Sequence, residues 1–143
     1  MSSLLTFRIA RLQRKLSAQN AYFLDTMANI TLVEWRVLWC IGSLQLNTMT
    51  DIADTIDIDK GQLSRRIKTM VTKGLLEVRD VEEDHRKQIL NVTDEGSRIV
   101  ERLAPLTKNR HAMLTEHIDP ADLEVFNQVL DKLEAAAESR KIP

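Results

Sequence analysis

Apolar residues recur at helical spacing along most of the chain. Leu5, Ile9, Leu12, Leu16 and Phe23 form a stripe that predicts one long helix over about 3–25. Thr31-Leu32-Val33-Glu34 is a capping box, in which the Thr hydroxyl and the Glu carboxylate satisfy orphan amides, so a second helix should run from Leu32 to about Ser43. Thr48 with Asp51 repeats this logic for a short helix whose buried face is Ile52, Ala53 and Ile56. Asp57 tolerates the left-handed conformation and Asp59 can cap the next helix. Two helices joined by so tight a turn have the helix-turn-helix layout.

On a helical wheel at about 100° per residue, Leu63, Ile67, Met70, Val71 and Gly74 fall on one face, which is expected to pack inward. Gly61, Arg65, Lys68, Thr69 and Thr72 point away, with Gln62 and Lys73 to one side and Ser64 and Arg66 on the flanks. The pattern then changes to alternation. Leu75–Arg79 and Gln88–Val92 predict a hairpin with Asp84, His85 and Arg86 at its tip. Thr93, Asp94 and Glu95 open another helix, whose apolar positions Ile99, Val100, Leu103 and Leu106 continue past Pro105, where a kink is expected. Asp119-Pro120 starts the last helix, striped by Leu123, Phe126, Leu130, Leu133 and Ala137. The expected fold is mainly α with a small β-hairpin.

Composition narrows the function classes. With 143 residues and 43% hydrophobic content the chain suits one domain with a core. Its longest apolar run, Val37–Ile41, is far short of the roughly 18 residues of a membrane span, so no membrane partner is expected. Arg8, Arg11, Arg14 and Lys15, with no acid before Asp25, faintly mimic a transit peptide, but the apolar spacing through them favours a folded helix. The lone Cys40 excludes an internal disulfide framework and fits a reducing cytoplasm. His111 and His117 would project in opposed directions from a helix and His85 stands apart, so neither metal nor cofactor is expected. The chain carries no Gly-rich phosphate loop, Ser/His/Asp order or HExxH motif, which argues against an enzyme.

Charge is the most informative property. The chain has net charge −1, yet Lys60, Arg65, Arg66, Lys68 and Lys73 occur between Lys60 and Gly74 without an acidic residue. Local fields govern polyanion binding, so this helix is the candidate DNA-reading element. Arg pairs with guanine and Gln with adenine in the major groove, so Arg65, Gln62 and Lys68 are candidates for base contact. Lys60, Ser64, Thr69 and Lys73 suit phosphates, with Gly61 on the same outward face. The plainer reading is an ordinary solvated face.

In order and spacing, TLVEWRVLWCI, MTDIADTIDIDKGQLSRRIKTMVTKGLLEVR and DHRKQILNVTDEG resemble the second helix, helix-turn-helix and wing of the MarR family of bacterial regulators. The resemblance covers nearly the full length. It implies a winged helix-turn-helix over about 31–95, flanked by dimerisation helices over about 3–25 and 96–140, within a single domain of residues 1–143. It also implies a homodimer on a pseudo-palindromic double-stranded DNA operator, acting as a repressor relieved by a small aromatic effector. By resemblance, Arg86 enters a minor groove, where a narrow A·T tract concentrates negative potential. Asp84 would position it, since a carboxylate there can hold Arg86 or Arg79 by bidentate pairing.

An effector pocket would draw on Trp35 and Trp39 with Arg8, Arg11 and Arg36 as carboxylate partners, although aromatic pairs at helical spacing are more often core. Arg66 departs from the usual apolar residue of the family and could reach a phosphate or pair internally. Glu82 and Glu83 are anti-phosphate charges in the wing. Two other readings remain open at this level: a winged helix that mediates protein assembly without DNA, and a thiol-based redox sensor acting through Cys40.

Overall fold

The computed structural model describes residues 4–140 apart from 82 and 83, and the side chains of residues 84–86 also lie outside the described set. Six helices and one hairpin follow in the order α1 (Leu4–Ala28), α2 (Leu32–Gly42), α3 (Met49–Ile56), α4 (Lys60–Thr72), β1 (Leu76–Val81), β2 (Asp84–Val92), α5 (Asp94–Thr115) and α6 (Pro120–Ala137). The chain divides into two compact units at Ala104–Pro105, inside α5. Ile99 and Leu103 of α5 are buried in the core of the first unit.

In the first unit, local signals start each helix of the helix-turn-helix. Thr31 Oγ1 accepts from the Glu34 amide and Glu34 Oε2 accepts from the Thr31 amide, completing the capping box of α2. Thr48 accepts from the Asp51 amide at the start of α3. Asp57 then turns left-handed at φ 54°, and Asp59 accepts from the Gln62 amide to open α4.

The end of α4 corrects the helical wheel. Gly74 lies beyond the helix at φ 75°, where its amide donates to Val71 O and the Leu75 amide donates to Met70 O. This is the Schellman arrangement, which favours a residue without a Cβ in the left-handed region. Leu63, Ile67 and Met70 are buried as expected, whereas Val71 is 40% exposed because the inward stripe is narrower than the wheel suggested.

The hairpin is longer than the alternation suggested, because backbone pairing extends past the apolar positions. Leu76 pairs with Val92 and the register runs evenly to Asp80–Gln88, then shifts so that Val81 faces Asp84. Asp84, His85 and Arg86 therefore belong to the irregular start of β2 rather than to the connection itself. The Leu90 amide donates to Asn47 O, which fastens the hairpin to the segment before α3.

Thr93 joins the wing to α5. Its hydroxyl donates to Gly74 O at 2.6 Å and accepts from the Gly96 amide at 3.1 Å. Gly96 is buried so close to the Leu75 carbonyl and Val92 that a Cβ would collide with backbone. The core gathers Leu38, Ile52, Leu63, Met70, Leu76 and Leu90, all fully buried.

In the second unit α5 continues through Pro105 to Thr115, and Asp119 accepts from the Ala121 amide to begin α6 with Pro120 in its first turn. No residue of α6 is buried, and Val125, Phe126 and Val129 are exposed. In the first unit α1 likewise buries only Leu24 and exposes Leu4, Leu5, Phe7, Ile9 and Leu12. Among the described residues, no helix is long and apolar enough to cross a membrane.

Candidate nucleic-acid interface

Capping, burial and charge together orient α4. Leu63, Ile67 and Met70 bury one face, which leaves Lys60, Gly61, Gln62, Arg65, Lys68 and Thr69 exposed on the other, with Ser64 half-buried at its edge. Gly61 sits beside its own cap: a Cβ there would come within 2.8 Å of Asp59 Oδ2. Thr69 donates to the Arg65 carbonyl, which occupies its hydroxyl proton within the helix but leaves the oxygen's lone pairs available. Val33, Ile58, Gln62, Arg65, Arg66 and Thr69 line an open cleft of about 350 Å³.

Two cations of this segment face a buried acid. Lys73, expected to touch phosphate, donates to Glu34 Oε1 at 2.9 Å and Oε2 at 3.1 Å. Arg66 approaches the same carboxylate at 3.8 Å, with its side chain 38% exposed. Glu34 is fully buried, so its charge requires such partners. Burial acts to raise its pKa, but the Thr31 amide, Lys73 and Arg66 outweigh it and hold the carboxyl below its ordinary value.

Sequence reasoning found Glu34 only as a helix cap. A further signal was present, because Glu34, Leu38 and Ile41 share the buried stripe of α2, and a carboxylate on that stripe requires a cation from another element. What spacing could not give was the partner, which lies 39 positions away.

On the wing, Arg79 is exposed and its backbone pairs opposite Ile89. Gln88 donates to Asp80 across the hairpin at 3.3 Å. The positioning role carried to Asp84 and the minor-groove role carried to Arg86 rest on side chains outside the described residues, as do the charges of Glu82 and Glu83.

The five effector-pocket candidates do not line the cleft beside α4. Trp35 is buried, Trp39 packs against the same core, and their rings lie 5.6 Å apart at 46°, so this pair fills the core. Arg8, Arg11 and Arg36 are exposed. Cys40 is also buried, and desolvation pushes its thiol pKa up, opposite to the shift that activates a sensing cysteine.

Residues 28–87 match the family model described as "MarR family". The organic hydroperoxide resistance transcriptional regulator of Bacillus subtilis (strain 168) is 26% identical over 98 residues, covering 68% of this chain and 66% of the relative, just under two thirds of its length. Among solved structures, a MarR/EmrR family transcriptional regulator from Acinetobacter sp. ADP1 is 25% identical, with 96% of each chain covered and a TM-score of 0.84. BpsR of Bordetella bronchiseptica, studied for regulation of its DNA binding by 6-hydroxynicotinic acid, is 18% identical, with 89% of this chain and 98% of BpsR covered and a TM-score of 0.72. The low identity limits that last likeness to the fold. The stretch that matches the MarR family model holds the capped helix-turn-helix and most of its paired wing, and over 96% of its length the chain is similar to a solved MarR/EmrR family regulator.

Proposed function

We propose that the chain is a sequence-specific, double-stranded-DNA-binding transcriptional regulator of the cytoplasm, working as a homodimer and without catalysis of its own. The observation that carries this reading is the exposed face of α4, where Gln62, Arg65, Lys68 and Thr69 stand clear of the core on a helix whose sequence from Lys60 to Gly74 holds no carboxylate. Arg65, Gln62 and Lys68 take base edges, while Lys60, Ser64 and Thr69 take phosphates. Lys73 leaves this set because its ammonium is held by Glu34.

Dimerisation is supported by the apolar faces that the monomer leaves exposed. Phe7 is 73% exposed on α1 and Phe126 is 49% exposed on α6, each among further exposed aliphatic residues. Large apolar side chains left exposed along a helix face mark a candidate interaction site. A two-fold dimer must set its two α4 helices about one DNA turn, roughly 34–36 Å, apart to read both halves of a pseudo-palindrome. A small aromatic effector that favours another spacing would release the operator, and its leverage equals its differential affinity for the two states.

Selection of bound duplexes from a random pool, with and without aromatic acids, tests the proposal. A pseudo-palindrome whose recovery falls when an acid is added is the expected result. Recovery of unselected sequences, or of none, would overturn DNA reading, and recovery indifferent to every acid would overturn aromatic-acid control.

A further inference from the structure

Glu34 faces two cations on the helix where positive charge is most useful to a DNA-binding protein. Both carboxylate oxygens accept from Lys73 Nζ, at 2.9 and 3.1 Å, and Arg66 Nη1 lies 3.8 Å from Oε1. The carboxylate is fully buried, while the Lys73 and Arg66 side chains remain 40% and 38% exposed. Neither cation is sealed in the core. Arg66 also lines the cleft that it shares with Gln62, Arg65 and Thr69, so it borders the residues assigned to DNA.

We infer that Glu34 is a specificity-determining residue that withholds Lys73, and in part Arg66, from the DNA backbone. The inference rests on the DNA-binding reading above. Phosphate contacts carry no sequence information, and a flexible ammonium follows whatever backbone is near it. Tied to Glu34, Lys73 cannot contribute that indiscriminate affinity. The binding energy of α4 then depends more on Gln62, Arg65 and Lys68, whose contacts vary with the bases. The same tie fixes the carboxyl end of α4 to the amino end of α2, through a cap that also holds Thr31.

Glu34→Gln tests this with little change of shape, because Gln also serves the third position of a capping box. Equilibrium binding of wild type and variant is measured on a selected operator and on a scrambled duplex across a salt series, with folding checked by thermal melting. Each newly neutralised phosphate steepens the logarithmic salt slope by roughly 0.9, so a dimer gaining one contact per protomer steepens by about two. From 50 to 200 mM salt, the variant should then lose about tenfold more affinity than wild type. At the low-salt end its affinity for scrambled duplex should rise more than its affinity for operator. Adding Lys73→Gln and Arg66→Gln should cancel the extra slope.

A merely structural role predicts weaker binding to both duplexes with no steeper slope, and that result overturns the inference. So does extra slope that persists in the triple variant. Lys73→Gln alone provides a second test that does not depend on how well Glu34→Gln folds. Its salt slope should stay within about half a contact of wild type, and a slope shallower by about two would show that Lys73 already neutralises phosphate. Failure of the wild type to bind any duplex overturns the DNA reading and this inference with it, a pattern distinct from both others.

Discussion

Glu34 and Lys73, 39 residues apart in the chain, meet through paired contacts of 2.9 and 3.1 Å that join the start of α2 to the cap of α4. The contact makes one carboxylate serve two purposes, since it also accepts from the Thr31 amide. A buried ion pair is weak evidence of net stability, but breaking one leaves a charge without its partner.

Lys73→Ala should therefore destabilise the fold by roughly 1–3 kcal/mol, the range for a buried group left unsatisfied, with Arg66 remaining as partial compensation. Urea unfolding at neutral pH measures it. Equal stability of the variant would mean that solvent replaces Lys73 at no cost.

The pH dependence follows from the direction of the shift. Glu34 is held below its ordinary value of 4.5 in the folded state: burial opposes this, and the Thr31 amide, Lys73 and Arg66 outweigh it. Its ionised form thus contributes stability that is present above the unfolded value and lost as pH falls through the folded one. The stability difference between wild type and Glu34→Gln should accordingly shrink as the medium is acidified below 4.5. A difference that is constant or grows on acidification contradicts the assignment.

Gly96→Ala should cost roughly 1–3 kcal/mol, the usual penalty of overpacking, because its Cβ meets the Leu75 carbonyl, which is backbone and cannot rotate aside. Thermal melting reads the effect. Gly74→Ala provides a comparison of different origin, since no atom lies within 4 Å there and the strain comes from φ 75° alone.

Arg65→Ala and Lys60→Ala should separate base reading from backbone attraction. The first should cost about 1–3 kcal/mol on the operator and relax preference at one base position. The second should weaken all duplexes alike and reduce the salt slope by about one per protomer. Titrations on operator and scrambled duplex distinguish them, and interchanged patterns would reverse the roles.

Much of this architecture was legible because it is locally encoded. Thr31, Thr48, Asp59 and Asp119 each announce a helix start within a few residues of the amide they satisfy. Leu63, Ile67 and Met70 give α4 its inward face by periodicity alone. Gly74 was misplaced because a wheel continues a helix past its end, where the left-handed turn had already begun. The Glu34 partner of Lys73 was not legible, because it is set by tertiary packing of α2 against α4. Trp35 and Trp39 show the same limit from the other side, since spacing alone fits a ligand wall and a core equally well.

The wing role that the resemblance implies for Arg86 yields its own prediction. Arg86→Ala should weaken binding most where the operator has A·T-rich flanks, because the narrow minor groove there draws a guanidinium most strongly. Competition among operators that differ only in their flanks measures this, and a uniform loss would make Arg86 a phosphate contact.

The salt dependence of operator affinity tests the central claim most directly. A dimer that docks the exposed cations of α4 and the wing onto about six to ten phosphates should lose about 10³ to 10⁵ in affinity between 50 and 200 mM salt. It should retain preference for the operator over scrambled duplex throughout. Binding that is indifferent to salt, or equal on both duplexes, would contradict the account.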